Sequence, residues 1–366
     1  MHRTLSTFAA LSLGLSISAH AAPPSVAVDI APLHSLVSQV MGNVGQAKLL
    51  IPAEASPHNY TLRPSEAKAL ADADLVFWMG ENLTPWLEKA IDNLASSAQK
   101  IEVLEIEGTI THEFREGATF ASHDHDHGEH EGHHDEHEED HHDEHEKDHH
   151  DEHEKDHHDE HEKDHHDEHE KDHHDEHKEG HHDEHKEGHH DEHHGEENDP
   201  HAWLDPENAK FWIGHIRNAL SEQDPENAAT YTSNAATAIA SLDALIQSTN
   251  TRISQLGNPQ FIVFHDAYQY FEKRFGIAAA GSISLGDAEA PSPARINEIR
   301  ETVKELGISC VFTEPQYNPG LVKNVFEGTR VSTIGVMDPL GVELPIGSSH
   351  YQALIQKMAD SISQCK

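Results

Sequence analysis

The chain has 366 residues and a formal net charge of −42 with neutral histidine, from 67 acidic against 25 basic residues, and it holds 38 histidines but only two cysteines. Residues 123–194 alone carry 33 acidic residues against 6 lysines, a net of −27, which leaves −15 for the other 294 residues. That remainder is ordinary for a soluble protein, and its sign argues against nucleic acid or an anionic membrane as partner, since both would repel it.

The N-terminus reads as a secretory signal. Met1-His2-Arg3 is a short basic start, residues 5–19 are mostly apolar or small, and Ala19-His20-Ala21 fits a small-x-small cleavage site. Residues 1–21 are therefore expected to be removed and the mature chain to begin at Ala22, in the periplasm. The stretch is too short and too Ser-broken to anchor in a bilayer, and no lipobox-like cysteine follows it.

From there short apolar runs alternate with helical patterns. Strands are predicted at 26–30, 49–51, 75–79 and 101–105. Helices are predicted at 33–41, at 63–71 with Pro64 at its start, and at 85–95. A βαβα rhythm implies a parallel sheet with helices on both faces.

A histidine-acid tract interrupts this rhythm. From His133 it repeats with a period of eight: HHDEHEED, four copies of HHDEHEKD, two of HHDEHKEG, then HHDEHHGE ending at Glu196. Residues 123–194 hold 29 of the chain's 38 histidines. Nothing apolar lies in the repeats, so the tract cannot build a core. Eight residues advance about 80° beyond two helical turns, so no common stripe forms along a helix. The tract at 123–197 is expected to be a disordered arm with a reach on the order of 50 Å. Imidazole and carboxylate together ligate divalent transition metals, zinc above all. A repeat expansion without a role is the alternative.

After the arm, Asp205 caps and Pro206 opens a helix over 206–220. Asp224-Pro225-Glu226 then starts an Ala-rich stretch without Gly or Pro to about residue 256. That is far above the usual helix length and reads as a rigid spine. The second half repeats the first: strands at 261–264, 278–282, 309–313 and 332–336, and helices at 267–275, 293–306, 319–328 and 350–363. The expected architecture is α/β, with two (βα) lobes bearing parallel sheets and joined by a long rigid helix. The boundaries are 22–223 for the first lobe with its arm, 224–257 for the linking helix and 258–366 for the second lobe.

In open α/β sheets, ligands bind beyond the carboxyl ends of the strands. Three histidines stand there. His58 lies in Ser56-Pro57-His58-Asn59-Tyr60, His201 in Asp199-Pro200-His201, and His265 ends the buried run 261–264. Each alone has an ordinary reading as a capping or hydrogen-bonding loop residue, whereas three neutral imidazoles form a standard zinc set. Glu314 and Asp338 also follow strands, and either offers a fourth oxygen ligand. Asp338, in Asp338-Pro339-Leu340-Gly341, is the better placed, with capping of its own turn as its other reading. His34, His112, His215 and His350 stand singly and read as surface or packing residues. The two cysteines, Cys310 and Cys365, are expected to pair in an oxidising compartment, with two free buried thiols as the alternative.

Five segments carry a family resemblance: PAEASPHNYTLRPSEAKAL (52–70), DPHAWLDP (199–206), FHDAYQYFEKRFG (264–276), FTEPQYNP (312–319) and MDPLG (337–341). In this order they resemble the metal-binding substrate-binding proteins of ABC importers, in their zinc-uptake branch. The acidic His-rich insert before the second ligand motif is typical of that branch. The resemblance implies two lobes joined by a long helix, one Zn²⁺ in the cleft, and His58, His201 and His265 as its ligands. Asp338 matches the position that supplies a carboxylate ligand in some members, and Cys310–Cys365 matches a disulfide of the zinc branch. The arm's length and regularity depart from the relatives.

The leading function is thus periplasmic capture of Zn²⁺ and its delivery to an ABC permease and its ATPase, by a monomer whose arm gathers or buffers metal. A periplasmic zinc chaperone is a further candidate partner. A storage protein is the second reading, but it leaves the two lobes and the strand-end trio unexplained. A zinc hydrolase is the third. Outside the arm, whose repeats spell HExxH by composition alone, it lacks such a motif, and Glu314 is its only candidate base.

Overall fold

The structure, a computed structural model, describes residues 22–115, 120, 198–284, 292–317 and 319–365. The expected signal peptide and the histidine-acid arm lie outside the described residues. In the first lobe, β1 (Val26–Val28), α1 (Ala31–Met41), β2 (Lys48–Leu49), α2 (Pro64–Ala71), β3 (Leu75–Trp78), α3 (Pro85–Leu94) and β4 (Gln99–Glu102) alternate as predicted. The strands form an all-parallel sheet in the order β2-β1-β3-β4. Every residue of β1 and β3 is buried, as central strands covered on both faces require. The polar β4 takes an edge, where half-exposed side chains are tolerated.

Two long helices follow, α4 (Pro206–Gln223) and α5 (Ala228–Ser254). Asp205 caps α4 as expected, accepting from the Glu207 amide at 2.9 Å. The start of α5 differs from the sequence reading. A 3-10 turn fills 225–227 and the α-helix begins at Ala228. The cause is the carboxylate of Asp224, which binds Asn227 Nδ2 and the Tyr231 hydroxyl, both at 2.8 Å, instead of capping backbone amides. At 27 residues α5 is about 40 Å long. Only one stripe of it is buried, through Tyr231, Ala235, Ala238, Leu242, Leu245, Thr249 and Ile253.

The second lobe comprises β5 (Phe261–Val263), α6 (Gln269–Phe275), β6 (Gly281–Ser282), α7 (Pro293–Glu305), β7 (Cys310–Thr313), α8 (Pro319–Val325), β8 (Thr333–Val336) and α9 (His350–Ile362). Its parallel sheet, β6-β5-β7-β8, repeats the order of the first. One face is closed by Ile299 and Val303 of α7 and Val322 and Val325 of α8. The other face belongs to an apolar core that continues through α4, α5, α6 and α9 into the first lobe. The lobes are also joined by hydrogen bonds. The Tyr351 amide donates to Ser35 Oγ at 3.0 Å, and Gln352 Nε2 donates to Gln39 Oε1 at 2.9 Å. Cys310 and Cys365 form a disulfide with Cα atoms 5.5 Å apart, which fastens the end of α9 to β7.

Asp29, fully buried after β1, holds the ends of two strands together by accepting from the Ile30 and Met79 amides, both at 2.7 Å. Burial pushes its pKa up to about 7, and the two amides only partly offset this. Between about pH 4 and 7 the folded chain therefore keeps a proton that the unfolded chain releases. Stability from this group is greatest below pH 4 and falls as pH rises through 7, by at most about 4 kcal/mol. The thermal-stability advantage of wild type over Asp29→Asn is expected to shrink from pH 5 to pH 8. Parallel Tm curves for the two proteins across that range would show that Asp29 does not take up this proton.

Candidate metal centre

Each of the three histidines is delivered by a different device, and only His265 directly follows a strand. His58 sits on the loop between β2 and α2. That loop is pinned by the Trp86 indole, which donates to the Pro57 carbonyl at 2.7 Å, and by Tyr60, whose hydroxyl meets the Glu66 carboxylate. His201 stands just before the short turn that leads into α4. Asp199, two residues earlier, folds back so that its Oδ1 lies 3.0 Å from the His201 amide and 2.7 Å from its Nδ1. His265 extends the line of β5. The register that pairs Phe261 with Cys310 and Ile262 with Val311 places residue 265 opposite residue 314, and Glu314 Oε1 lies 2.7 Å from His265 Nδ1.

A carboxylate against Nδ1 selects the tautomer in which Nδ1 donates, leaving the Nε2 lone pair for a metal. The three rings do converge. His201 Nε2 and His265 Nε2 are 3.4 Å apart, and one ligand nitrogen from each of His58, His201 and His265 lies within 4.8 Å of the others. Two nitrogens on a tetrahedral zinc with bonds of 2.0–2.1 Å are separated by about 3.3 Å. Two of the three rings thus already stand at the spacing of one edge of a zinc tetrahedron. The cavity between them is about 20 Å³, the room of a single water-sized body, and Pro57, Trp203, Tyr317, Pro339 and Leu340 provide much of its wall. A site this small and this apolar suits a bare ion and strengthens each ion–ligand contact.

The two candidate carboxylates part company. Glu314 is buried behind His265 as its orienting partner, a role the sequence reading did not give it. Asp338 is held on its own turn: Oδ1 accepts from the Leu340 amide at 3.0 Å and from Gln316 Nε2 at 3.1 Å, and Oδ2 from the Val342 amide at 2.6 Å. It does not join the cluster of three. The turn is further fixed by His350, fully buried with Nε2 2.7 Å from the Leu340 carbonyl. Gly341 adopts φ +73°, and a side chain there would meet that ring at 2.9 Å. His34, buried in α1, has its pKa lowered by burial and rests on the Ala47 carbonyl. His112 faces Tyr270 and His215 faces Phe211.

Asp199 as the partner of His201 was missed at the sequence level. Its signal was the spacing, since an Asp two residues before the residue it serves is the pattern of an Asx turn.

The profile of the family described as zinc-uptake complex component A, periplasmic (ZnuA), matches residues 26–365. The chain belongs to this family. Among curated relatives, the high-affinity zinc uptake system protein ZnuA of Brucella abortus is 44% identical over 340 residues, covering 93% of this chain and 91% of the relative. That of Paracoccus denitrificans is 39% identical, covering 100% and 99%. A crystal structure of ZnuA superposes with a TM-score of 0.64 at 18% identity, over 93% of this chain and 98% of its own. The Zn(II)-bound ZnuA-like domain of Streptococcus pneumoniae AdcA gives 0.57 at 20% identity, over 94% and 98%. At such identities the two structures bear on the fold, which is the two-lobed one described above. ZnuA proteins are solute-binding components of transporters and not enzymes, so the hydrolase reading falls. Among the described residues no helix is long and apolar enough to cross a membrane.

Proposed function

We propose that the chain captures Zn²⁺ in the periplasm through His58, His201 and His265 and delivers it to an ABC permease and its ATPase. The observation that carries this is the convergence of three imidazoles on a small apolar cavity, two of them backed by buried carboxylates. Cavity size favours an ion over an organic ligand. Nitrogen ligation favours zinc over manganese. The fourth position goes to water. Asp338 is turned to its own loop, its carboxylate held by the Leu340 and Val342 amides and Gln316 Nε2, and reaching the ion would require it to leave part of this set.

The signal at 1–21 is cleaved before Ala22, and the mature protein acts as a monomer in exchange with the permease and a periplasmic zinc chaperone. The spine at 224–257 divides the first lobe, 22–223, from the second, 258–366. The arm at 123–197 gathers zinc at many weak sites and supplies the single tight one.

Calorimetric titration of the intact protein and of a form lacking residues 123–194 tests both levels. The deletion is expected to leave one tight site per chain and remove most of the total capacity. Binding to the arm is expected to collapse between about pH 7 and 5.5, because zinc must displace protons from imidazoles with pKa near 6.5. Equal stoichiometry in the two forms would show that the arm is not a reservoir. Absence of a tight site from both would remove the capture reading altogether.

A further inference from the structure

The segments flanking the arm in sequence are tied together and into the second lobe. Glu113 and Asn198 form an antiparallel bridge, and the Asp199 amide donates to the His112 carbonyl at 2.7 Å. Two side chains of α6 reinforce the pair. Tyr270 donates its hydroxyl to the Asp199 carbonyl at 2.7 Å while accepting from the His112 amide at 3.0 Å. Gln269 Nε2 reaches the Glu113 carbonyl at 3.0 Å and Asp199 Oδ2 at 3.2 Å. Asp199 is the residue that orients His201.

Three residues beyond His112, Arg115 makes a second connection. Its Nε donates to Asp266 Oδ2 at 2.9 Å and its Nη1 to Glu272 Oε2 at 2.7 Å, while Nη2 contacts both carboxylates. The guanidinium lies 3.7 Å over the Phe120 ring. The carboxylates are 9% and 3% exposed and the arginine side chain 18%. A buried ionic triad of this kind is poor evidence for stability, since apolar replacements often fold as well or better. Its place in the chain is more informative. Asp266 is bonded to His265. One side chain thus connects the neighbour of one imidazole to the bridged segments that lead into the other.

We propose that Arg115 is a positioning residue for metal capture, one that sets the separation of His201 and His265 by bolting the bridged segment bearing Asp199 to the residue beside His265. The proposal rests on the reading of these two histidines as zinc ligands. Ligand distances in a metal site must hold to about 0.2 Å. With the clamp in place, the 3.4 Å spacing of the two Nε2 atoms is set before metal arrives. Without it, the competent spacing becomes one of several, and apparent affinity falls by the fraction of time it is populated.

The test uses the full chain. Arg115→Lys keeps the charge and loses the fork. Arg115→Met combined with Asp266→Asn and Glu272→Gln removes the clamp without stranding a buried carboxylate. His265→Ala is the control on the ligand reading. Three quantities are measured: the Tm of metal-free protein, the release rate of one equivalent of zinc into excess chelator, and the visible spectrum with one equivalent of Co²⁺.

The triple variant is expected to keep its Tm within a few degrees, release zinc roughly tenfold faster, the low end of the range for outer-shell partners, and show a shifted cobalt spectrum. Arg115→Lys is expected to fall between it and wild type. A merely structural clamp would move Tm and leave spectrum and release untouched. If both variants fold and match wild type in release and spectrum, the proposal is overturned. If His265→Ala itself retains the tight site, the ligand reading has failed, and the positioning role with it.

Discussion

Replacing His58, His201 or His265 with alanine, one at a time, is expected to abolish the tight class of zinc binding while the arm's weak sites persist. Structural zinc sites hold the ion with roughly 10–16 kcal/mol shared among four ligands. Loss of one ligand is therefore worth about 3 kcal/mol, on the order of a hundredfold in affinity. The three variants are not expected to be equivalent. His201 and His265 are almost fully buried, each against a buried carboxylate, whereas His58 is half-exposed on a loop. Removing either buried ring takes one hydrogen-bond partner from the buried carboxylate of Asp199 or Glu314, which keep their backbone-amide contacts, and should also destabilise the metal-free protein by about 1 kcal/mol, whereas water readily takes the place of His58. Chelator competition gives the affinities and thermal unfolding the stabilities. Wild-type tight affinity in any of the three removes that residue from the ligand set.

Loss of the disulfide is expected to have the largest effect on stability. Cys310 and Cys365 are 55 residues apart in sequence, so the chain-entropy account assigns their bond about 4 kcal/mol. The effect should also extend beyond the second lobe, because the bond secures α9, and α9 lies against α1 of the first lobe through Ser35, Gln39, Tyr351 and Gln352. Tyr351 also donates its hydroxyl to the Trp203 carbonyl at 2.6 Å, beside the metal cavity. A Cys310→Ser, Cys365→Ser double variant is thus expected to unfold at lower denaturant concentration and to bind zinc more weakly at temperatures where wild type is unaffected. Two alkylatable thiols in unreduced, unfolded protein would show that the bond does not form in the exported chain, and an unchanged denaturation midpoint would show that it adds no stability.

The alternation of apolar runs with helical periods determined both sheets and nearly all their helices, because burial on two faces demands continuous Val, Ile, Leu and Phe runs such as Phe261–Val263. The trio was legible for a related reason: parallel sheets deliver ligands beyond the carboxyl ends of strands, and His265 directly follows β5 while His58 lies in the loop after β2, although His201 follows no strand and enters on the turn before α4. What only the tertiary structure decided was the role of each carboxylate. Glu314 and Asp338 each stand just past a strand in the sequence, with Asp338 the favoured ligand because of its turn. Register places one against His265 Nδ1, and the following turn captures the other with the amides of Leu340 and Val342. Arg115 carried no signal at all, because its partners Asp266 and Glu272 are about 150 residues away, and only the docking of the arm's flanks onto α6 brings their charges together. Local hydrogen-bonding patterns and hydrophobic period are written along the chain. Pairings between distant polar groups depend on how the elements pack, and they are settled where the cost of burying an unpaired charge is met.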